Sequence, residues 1–294
     1  MSRIKNIIRN INYLSKHSLW DKREEDIVYL TNKILDDIQY EYDLDDGITQ
    51  RFKILDSEAS LELIMKTGKS FVRTGDGEIK ILMGIDQPFQ KYSASLSDGL
   101  AELLSEKRDD LLVGINRNYF VPGYINNYSS FFRRHAYDYR QYYKKVCNTD
   151  ITYIDSTLTS YLLGDHASET SVSRYERWKE AFTDRDIVIV CGEGVLKSLD
   201  FDVFERAKSK KYIYGPSKNA WEERGYLVEE IRKKVNKDQL LIFILGMAGK
   251  VLTAELSKEG YICWDVGHLA KYYDAFMKGI EGTEENISKF FAPD

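Results

Sequence analysis

The 294-residue sequence is poor in the residues that mark secreted, fibrous or membrane-spanning proteins. Its three cysteines form no Cys-x-x-Cys pair and it has four prolines, which excludes a disulfide scaffold, a zinc ribbon and a proline-rich disordered chain. The longest apolar run, residues 240–245, is far shorter than the ~20 residues of a spanning helix. Since 47 acidic residues outnumber 42 basic ones, the charge argues against nucleic-acid binding. We therefore expect a reduced, cytoplasmic protein with no nucleic-acid partner.

The beginning of the sequence carries a basic amphipathic pattern. Residues 3–16 contain four basic residues and no acidic ones. Apolar residues recur there at the spacing of one helix face, at Ile4, Ile7, Ile8, Ile11 and Leu14. Such a helix either lies on an anionic membrane surface or packs its apolar face on the main domain. Both alternatives stay open, and the first predicts a peripheral contact with the inner membrane through residues 1–16.

Further along the chain, short apolar runs alternate with amphipathic segments. The apolar runs predict strands at residues 71–73, 111–115, 151–154, 187–190, 212–214, 240–245 and 261–264. The other segments predict helices at residues 26–40, 57–66, 97–106, 129–146, 171–182, 202–208, 222–235, 249–258 and 268–278. Apolar strands separated by helices are typical of a parallel sheet covered on both faces. We predict an α/β fold: a Rossmann-like, doubly wound, mostly parallel sheet in residues 55–294, with a helical extension in residues 1–54 packed on it.

In sheets of this kind, ligands bind beyond the carboxyl ends of the strands. The first predicted strand is followed by Arg-Thr-Gly-Asp-Gly-Glu at residues 73–78. In extended chain, Asp76 and Glu78 would point to the same side, and Gly77 would let the backbone approach a ligand closely. Two carboxylates suit Mg²⁺ or Mn²⁺ bridging to diphosphate oxygens, with Arg73 neutralising phosphate charge. Alternatively, Asp76 and Glu78 belong to an ordinary acidic surface and bind no metal.

Two glycine turns match nucleotide-binding motifs only in part. The Gly-Glu-Gly turn around Glu193 starts like a dinucleotide-binding loop, but Lys197 stands where the third glycine belongs, which excludes NAD. Glu193 either touches a ligand or is structural. The loop at Gly246 fails as a P-loop because Ile244 and Val251 replace its glycine and its serine or threonine. What remains is a glycine turn into a helix, which suits a phosphate.

Polar residues also follow two other strands. Ser217, Lys218 and Asn219 precede a predicted helix whose free N–H groups could hold a phosphate or a nucleoside carbonyl. Ordinary capping by Ser217 or Asn219 is the alternative. Asp265 and His268 follow the last strand, where an imidazole near a carboxylate serves as a general base, as a metal ligand or as a structural group.

Taken in chain order, these motifs resemble those of the bacterial GT-D-fold glycosyltransferases: Arg-x-Gly-Asp-Gly-Glu, Gly-Glu-Gly, Pro-Ser-Lys-Asn-Ala, Leu-Gly-x-x-Gly-Lys and Asp-x-Gly-His. The resemblance covers roughly residues 55–277. It implies a Rossmann-like domain of the GT-D type, a UDP-sugar donor and a divalent metal, Mn²⁺ or Mg²⁺, held by Asp76 and Glu78. It also implies transfer of a hexose, often glucose or galactose, to a glycan or glycoprotein acceptor in bacterial surface glycoprotein or polysaccharide synthesis.

The chain departs from the family pattern at two places. Residues 159–162 read Thr-Ser-Tyr-Leu where members carry Ser-Arg-x-Tyr, and the glycine loop reads Gly-Met-Ala-Gly-Lys instead of the commoner Gly-Pro-Thr-Ala. The candidate catalytic residues are Asp76, Glu78, Asp265 and His268, the last two as bases if the anomeric configuration inverts. The candidate nucleotide-sugar ligands are Arg73, Thr74, Gly75, Gly77, Glu193, Ser217, Lys218, Asn219 and Gly246.

Two other functions fit parts of the same pattern. A non-catalytic nucleotide- or glycan-binding subunit of a surface-polysaccharide assembly complex would use these loops without turnover, although paired carboxylates have little use in a scaffold. A metal-dependent phosphohydrolase would use the same carboxylates, but only two clear metal ligands are visible. Neither alternative accounts for the whole order of motifs.

The sequence is also rich in tyrosine, with 21 residues. Seven of them lie in the longest segment between predicted strands: Tyr119, Tyr124, Tyr128, Tyr137, Tyr139, Tyr142 and Tyr143. Aromatic rings commonly stack on sugar faces. Residues 119–143 are therefore predicted to shape the acceptor site.

Overall fold

The computed structural model describes residues 24–121, 129–160 and 169–281, together with Ile8 and Asn286. The chain divides into two compact units, Met1–Lys53 with Asn118–Lys145, and Ile54–Arg117 with Val146–Asp294. Apart from Ile8, residues 1–16 lie outside the described part, so the membrane contact stays a prediction, as does the packing of the N-terminal extension. Within the described part, no helix combines the length and apolarity needed to cross a bilayer.

The larger unit is built on one sheet of eight described strands, of which the first begins one residue before the unit does. They are β1 (Lys53–Ile54), β2 (Ser70–Arg73), β3 (Leu111–Ile115), β4 (Thr152–Asp155), β5 (Asp186–Gly192), β6 (Ser209–Gly215), β7 (Leu240–Ile244) and β8 (Ile262–Asp265). Their order is β1-β4-β3-β2-β8-β7-β5-β6, and every pair whose register is described is parallel. All seven predicted strands are present and β1 is additional. The predicted α/β class with a Rossmann-like parallel sheet is confirmed.

Nine α-helices are described: α1 (Glu24–Glu41), α2 (Ser57–Thr67), α3 (Asp76–Leu82), α4 (Ala94–Ser105), α5 (Ser129–Val146), α6 (Glu169–Phe182), α7 (Arg224–Lys234), α8 (Gly246–Lys258) and α9 (Leu269–Met277). Side-chain capping sets two of the starts. The Asp56 carboxylate accepts the N–H of Ala59 over 2.8 Å before α2, and the Ser93 hydroxyl accepts that of Leu96 over 3.2 Å before α4. These are the helix starts that a short polar side chain favours.

The core explains which strand ends meet. Every residue of β7 is buried, as is typical of a parallel strand covered on both faces. In the centre of the sheet, the ring of Phe71 on β2 lies 5.7 Å from that of Trp264 on β8 and 6.1 Å from that of Trp178 on α6. These aromatic contacts hold β2 beside β8. They thereby place the residues that follow the two strands next to each other.

Two segments differ from the sequence-based predictions. The helix predicted over residues 202–208 is wrong, because this segment forms turns. The Asp202 carboxylate accepts the N–H of Phe204 over 2.8 Å, a local bond that competes with helical bonding. Conversely, the segment after β2 that was predicted as extended chain is helix α3.

Within the smaller unit, the fully buried Arg140 of α5 organises the polar contacts. Its guanidinium donates to the Asp43 carboxylate over 2.6 Å and to the Tyr119 carbonyl over 2.5 Å. The rings of Tyr119, Tyr139 and Tyr143 are buried around it, with 5.3 Å between the centroids of Tyr119 and Tyr139. These three rings are core residues and offer no face to a sugar. An acceptor role for the other tyrosines of the segment stays a prediction.

We expect Gly68→Ala to lower the free energy of unfolding by about 1 kcal/mol. Gly68 ends α2 with a left-handed φ of 62°, and its N–H donates to the Ile64 carbonyl. A Cβ there would meet nothing within 4 Å, so backbone strain alone is responsible for the loss. Denaturant unfolding measures it. Gly225→Ala in α7 has no positive φ and is expected to be neutral or stabilising; equal losses for the two variants would contradict the explanation.

Candidate functional site

The carboxyl ends of β2 and β8 lie side by side because Phe71 pairs with Trp264 in the sheet. Arg73 and Asp265 are the last residues of these strands. The backbone N–H of Arg73 donates to Oδ2 of Asp265 over 3.1 Å, and its side-chain Nε donates to the Asp265 carbonyl over 2.9 Å. Its Nη1 donates to the Ser156 carbonyl, just after β4, over 3.3 Å. One arginine therefore ties the strand ends together.

A lysine that the sequence analysis left without a role lies at the centre of this region. Lys250 belongs to the first turns of α8, and its side chain is 8% exposed. Its Nζ lies 3.3 Å from Oε1 of Glu78, 3.4 Å from Oδ2 of Asp265 and 3.5 Å from the Gly246 carbonyl oxygen. Arg73, Lys250, Glu78 and Asp265 form a group of two cations and two carboxylates, which we call the charged quartet. In the sequence, the feature that could have indicated a functional role for Lys250 is its position after the glycine turn.

Glu78 holds the start of α3. Its Oε2 accepts the N–H of Gly75, the residue before the helix, over 2.7 Å, as the third residue of a helix does in a capping box. Its Oε1 faces Lys250. Both oxygens of this buried carboxylate therefore have partners within the protein.

Asp76 and Glu78 do not share a side of the chain, and the predicted extended geometry is wrong. Both residues lie in the first turn of α3, where positions two apart point about 200° away from each other. The glycine-flanked segment closes at once into a helix, whose start favours acidic side chains. The Asp76 side chain is 45% exposed, and its Oδ2 lies 3.3 Å from Nζ of Lys80. Asp76 thus faces outward while Glu78 faces the quartet.

A divalent metal fits Asp76 better than Glu78. Mg²⁺ is commonly held by one or two carboxylates together with substrate phosphates, and Asp76 offers a partly exposed carboxylate. Glu78 already faces Lys250 and accepts the Gly75 N–H, so its carboxylate is less available to a metal. Across residues 24–121, 129–160 and 169–281, no three His, Cys, Asp or Glu side chains are grouped as a metal site. A metal held jointly by Asp76 and Glu78 stays a prediction.

His268 follows β8 and keeps a solvent-exposed side chain. The protein atoms packed around its ring lower its pKa, the cations Arg73, Lys271 and Lys250 lower it further, and Asp265 opposes them. An imidazole with a lowered pKa is neutral at neutral pH, and a neutral imidazole can accept a proton.

The loops after β5 and β6 lie apart from the quartet. Gly192 pairs with Gly215, and a Cβ on Gly192 would come within 3.0 Å of Ser217. β5 is two strands from β8, which corresponds to about 10 Å. Glu193 is exposed, with its Oε1 3.2 Å from Nζ of Lys197. The structure therefore separates the Gly-Glu-Gly loop from the residues after β2 and β8, and a donor contact by Glu193 stays a prediction.

Asn219 has a structural role in its loop. Its φ of 54° is left-handed, its side-chain oxygen accepts the N–H of Lys91 over 2.8 Å, and its own N–H donates to the Phe89 carbonyl over 2.7 Å. It makes no side-chain capping bond to the helical turn that follows. Ser217 and Lys218 are exposed beside it, and their contacts with the donor stay predictions.

The other predicted residues differ in how much room surrounds them. A Cβ on Gly77 would lie 2.7 Å from Cε of Met247, so this glycine makes room for a neighbouring side chain. Thr74 is buried, and its hydroxyl donates to the Gly114 carbonyl over 2.8 Å. Gly246 has a left-handed φ of 55°, and no described atom lies within 4 Å of a Cβ built on it. Among these residues, Gly246 offers the open approach that a ligand needs.

Gly267→Ala is expected to lower the free energy of unfolding by about 2–3 kcal/mol. Gly267 has a φ of 50°, and a Cβ there would lie 1.8 Å from Nη2 of Arg73, so the guanidinium has to shift. Denaturant unfolding measures the loss. Gly84→Ala has a positive φ but no neighbouring atom near its Cβ, so it should lose about 1 kcal/mol. Equal losses for the two variants would show that the Arg73 clash adds nothing to the backbone strain.

A parallel α/β sheet that gathers charged side chains at its strand ends is the architecture of enzymes that bind nucleotides and other phosphorylated ligands. Residues 71–291 match the family described as "Glycosyltransferase GT-D fold". The chain belongs to this family of glycosyltransferases. The resemblance found in the sequence is confirmed.

Two curated streptococcal relatives align with most of this chain. "Probable glycosyl transferase Gly" from Streptococcus gordonii is 28% identical over 233 residues, and "Glycosyltransferase GlyD" from Streptococcus pneumoniae serotype 4 is 29% identical over 225 residues. The alignments cover 78% and 76% of this chain but 34% and 27% of those proteins. The chain thus spans between about a quarter and a third of the length of these relatives.

Solved structures share the fold. A selenomethionine structure of domain of unknown function 1792 has a TM-score of 0.74 and 28% identity, covering 86% of this chain and 95% of that one. A second structure of the domain, described as having a distinct glycosyltransferase fold, has a TM-score of 0.73 and 27% identity, covering 85% and 95%. A glycosyltransferase of this domain from Streptococcus sanguinis has a TM-score of 0.73 and 26% identity, covering 79% and 87%. The agreement extends over most of each domain.

Proposed function

We propose that this chain transfers a hexose, glucose or galactose, from a UDP-sugar to a glycan or glycoprotein acceptor in bacterial surface glycoprotein or polysaccharide synthesis, on the cytoplasmic side of the membrane. The observation that carries the proposal is the charged quartet at the carboxyl ends of β2 and β8, where ligands bind in sheets of this class. Membership of a glycosyltransferase family supports the reaction class. The donor and acceptor classes follow from the family resemblance.

Three parts of the site have separate roles in donor binding. Arg73 is held by Asp265 and Ser156, so its positive charge is in place before the donor diphosphate arrives. The open turn at Gly246 lets the ligand approach the backbone. Asp76 would hold a divalent metal, Mn²⁺ or Mg²⁺, which when bound supplies electrostatic stabilisation to the departing nucleoside diphosphate.

For an inverting transfer, we assign His268 as the base that accepts the proton of the acceptor hydroxyl. Asp265 is 1% exposed, accepts the Arg73 N–H and faces Lys250, so it is poorly placed to reach an acceptor. His268 follows the same strand and keeps an exposed edge. In a retaining transfer, His268 would instead help to position the donor.

Isothermal titration calorimetry with UDP, GDP, CMP and dTDP, each with and without Mn²⁺, tests the donor and the metal together. We expect UDP to bind most tightly and Mn²⁺ to strengthen its binding. Turnover is then measured as UDP release from UDP-glucose and UDP-galactose in the presence of acceptor glycan. UDP binding without turnover would favour a non-catalytic subunit. Release of phosphate or sugar phosphate would favour a phosphohydrolase.

A further inference from the structure

Lys250 has no part in the transfer as described, although it lies between the two carboxylates of the charged quartet. We propose that Lys250 binds the diphosphate group of the nucleotide donor, and that Glu78 and Asp265 hold its ammonium group in readiness before the donor arrives. This inference rests on the proposed function, since it concerns the donor of that reaction. It adds a phosphate-binding residue that lies outside the candidate ligands found in the sequence.

The contacts of Lys250 are long for an ion pair. Its Nζ lies 3.3 Å, 3.4 Å and 3.5 Å from the nearest oxygens of Glu78, Asp265 and Gly246, whereas a strong charge-assisted N–H···O bond measures ~2.7–2.9 Å. Arg73 is fixed more firmly, with its Nε 2.9 Å from the Asp265 carbonyl oxygen. A loosely held ammonium on a flexible four-carbon stem can turn toward an incoming anion. Lys250 is therefore the cation of the quartet that can change partners.

The donors that remain on the two carboxylates permit such a change. Two cations and two carboxylates are formally neutral together, so the quartet does not repel a diphosphate, and the attraction comes from the cation that turns toward it. When Lys250 turns, Glu78 still accepts the Gly75 N–H over 2.7 Å. Asp265 still accepts the Arg73 N–H over 3.1 Å. Neither buried carboxylate loses all its donors, which keeps the cost of the exchange low.

Lys250 is also within reach of an entering ligand. It lies one helical turn after Gly246, and its Nζ approaches the carbonyl of that residue. Among the described residues, no atom outside its two chain neighbours and its own helix backbone lies within 4 Å of a Cβ built on Gly246, so no distant element covers this position. The Lys250 side chain is only 8% exposed, so its ammonium meets a phosphate at the Gly246 turn by rotation of its flexible stem.

Calorimetric titration of the full chain with UDP and with uridine tests the inference, because uridine lacks the phosphates. Lys250→Met should weaken UDP binding on the order of 10- to 100-fold and leave uridine binding within about twofold. Lys258→Met is the matched control on the same helix. Lys258 is exposed and pairs with Glu102 over 2.8 Å, so its loss should change neither affinity.

Two further variants guard against loss of the fold, since Lys250→Met leaves buried carboxylates with one cation fewer. Lys250→Met combined with Glu78→Gln keeps the net charge of the quartet and should show the same UDP-selective loss. Lys250→Arg should restore most of the UDP affinity. Equal losses for UDP and uridine, or an unchanged UDP affinity, would overturn the inference. If the unmodified protein bound another nucleoside diphosphate and did not bind UDP, that result would refute the proposed donor and not the role of Lys250. The variants would then be compared with that nucleotide and its nucleoside.

Discussion

Asp265→Ala is expected to lower the free energy of unfolding by about 3–5 kcal/mol, because it leaves the two buried cations of the quartet with a single carboxylate. The Asp265 carboxylate is 1% exposed, and its Oδ2 lies 3.1 Å from the backbone nitrogen of Arg73 and 3.4 Å from Nζ of Lys250. After its removal, Glu78 is the remaining carboxylate of the quartet. Denaturant unfolding followed by tryptophan fluorescence measures the loss, since the buried Trp264 adjoins the site.

Two further variants serve as comparisons for Asp265→Ala. Asp265→Asn keeps the shape and an acceptor for the Arg73 N–H but removes the charge, so it should lose less stability than the alanine variant. Glu193→Ala removes an exposed ion pair with Lys197 and should change stability by less than about 0.5 kcal/mol. If Asp265→Ala were as mild as Glu193→Ala, the quartet would not stabilise the fold.

Asp76→Ala and Glu78→Ala are both expected to reduce sugar transfer by about 100-fold or more, but with different effects on stability. Asp76 is 45% exposed and its carboxylate faces Lys80, so its loss should leave Tm within a few degrees. Glu78 is buried and accepts the N–H that starts α3, so its loss should also cost about 1–3 kcal/mol of unfolding free energy. Transfer assays and thermal unfolding of the same preparations separate the two effects.

Lys80→Met serves as the control for Asp76. It removes the positive neighbour of the carboxylate and should keep transfer within a few-fold. If Asp76→Ala transferred sugar at the rate of the unmodified protein, Asp76 would not belong to the donor site. An unchanged Tm in Glu78→Ala would contradict its role in holding the start of α3.

The parallel sheet could be predicted from the sequence because its strands are almost wholly apolar. Residues 187–190 and 240–244 are buried in β5 and β7, and their continuous hydrophobic runs are visible without any structure. The rule that ligands bind at carboxyl strand ends then directed attention to Arg73 and Asp265, which lie together in the fold. Residues placed by strand ends were predictable for this reason.

Residues placed by packing between elements were not predictable. Lys250 looked like a remnant of a failed P-loop, because its partners Glu78 and Asp265 are far away in sequence. The buried tyrosines near Arg140 were predicted to form a sugar-stacking surface, because the sequence does not show whether a neighbouring element covers an aromatic side chain. The helix predicted at residues 202–208 is absent because the local bond from the Phe204 N–H to the Asp202 carboxylate competes with helical bonding.

The sequence by itself determined the fold class, the family and the strand ends where the site lies, since hydrophobic periodicity and motif order are local properties of the chain. The helical conformation of residues 76–82 decided that Asp76 and Glu78 point apart, and tertiary structure alone decided that Glu78 and Asp265 receive Lys250 between them. The physical reason is that a buried charge is stable only beside a partner. Which residue becomes that partner depends on the strand order that sets β2 beside β8 and on the turn that starts α8 at Gly246.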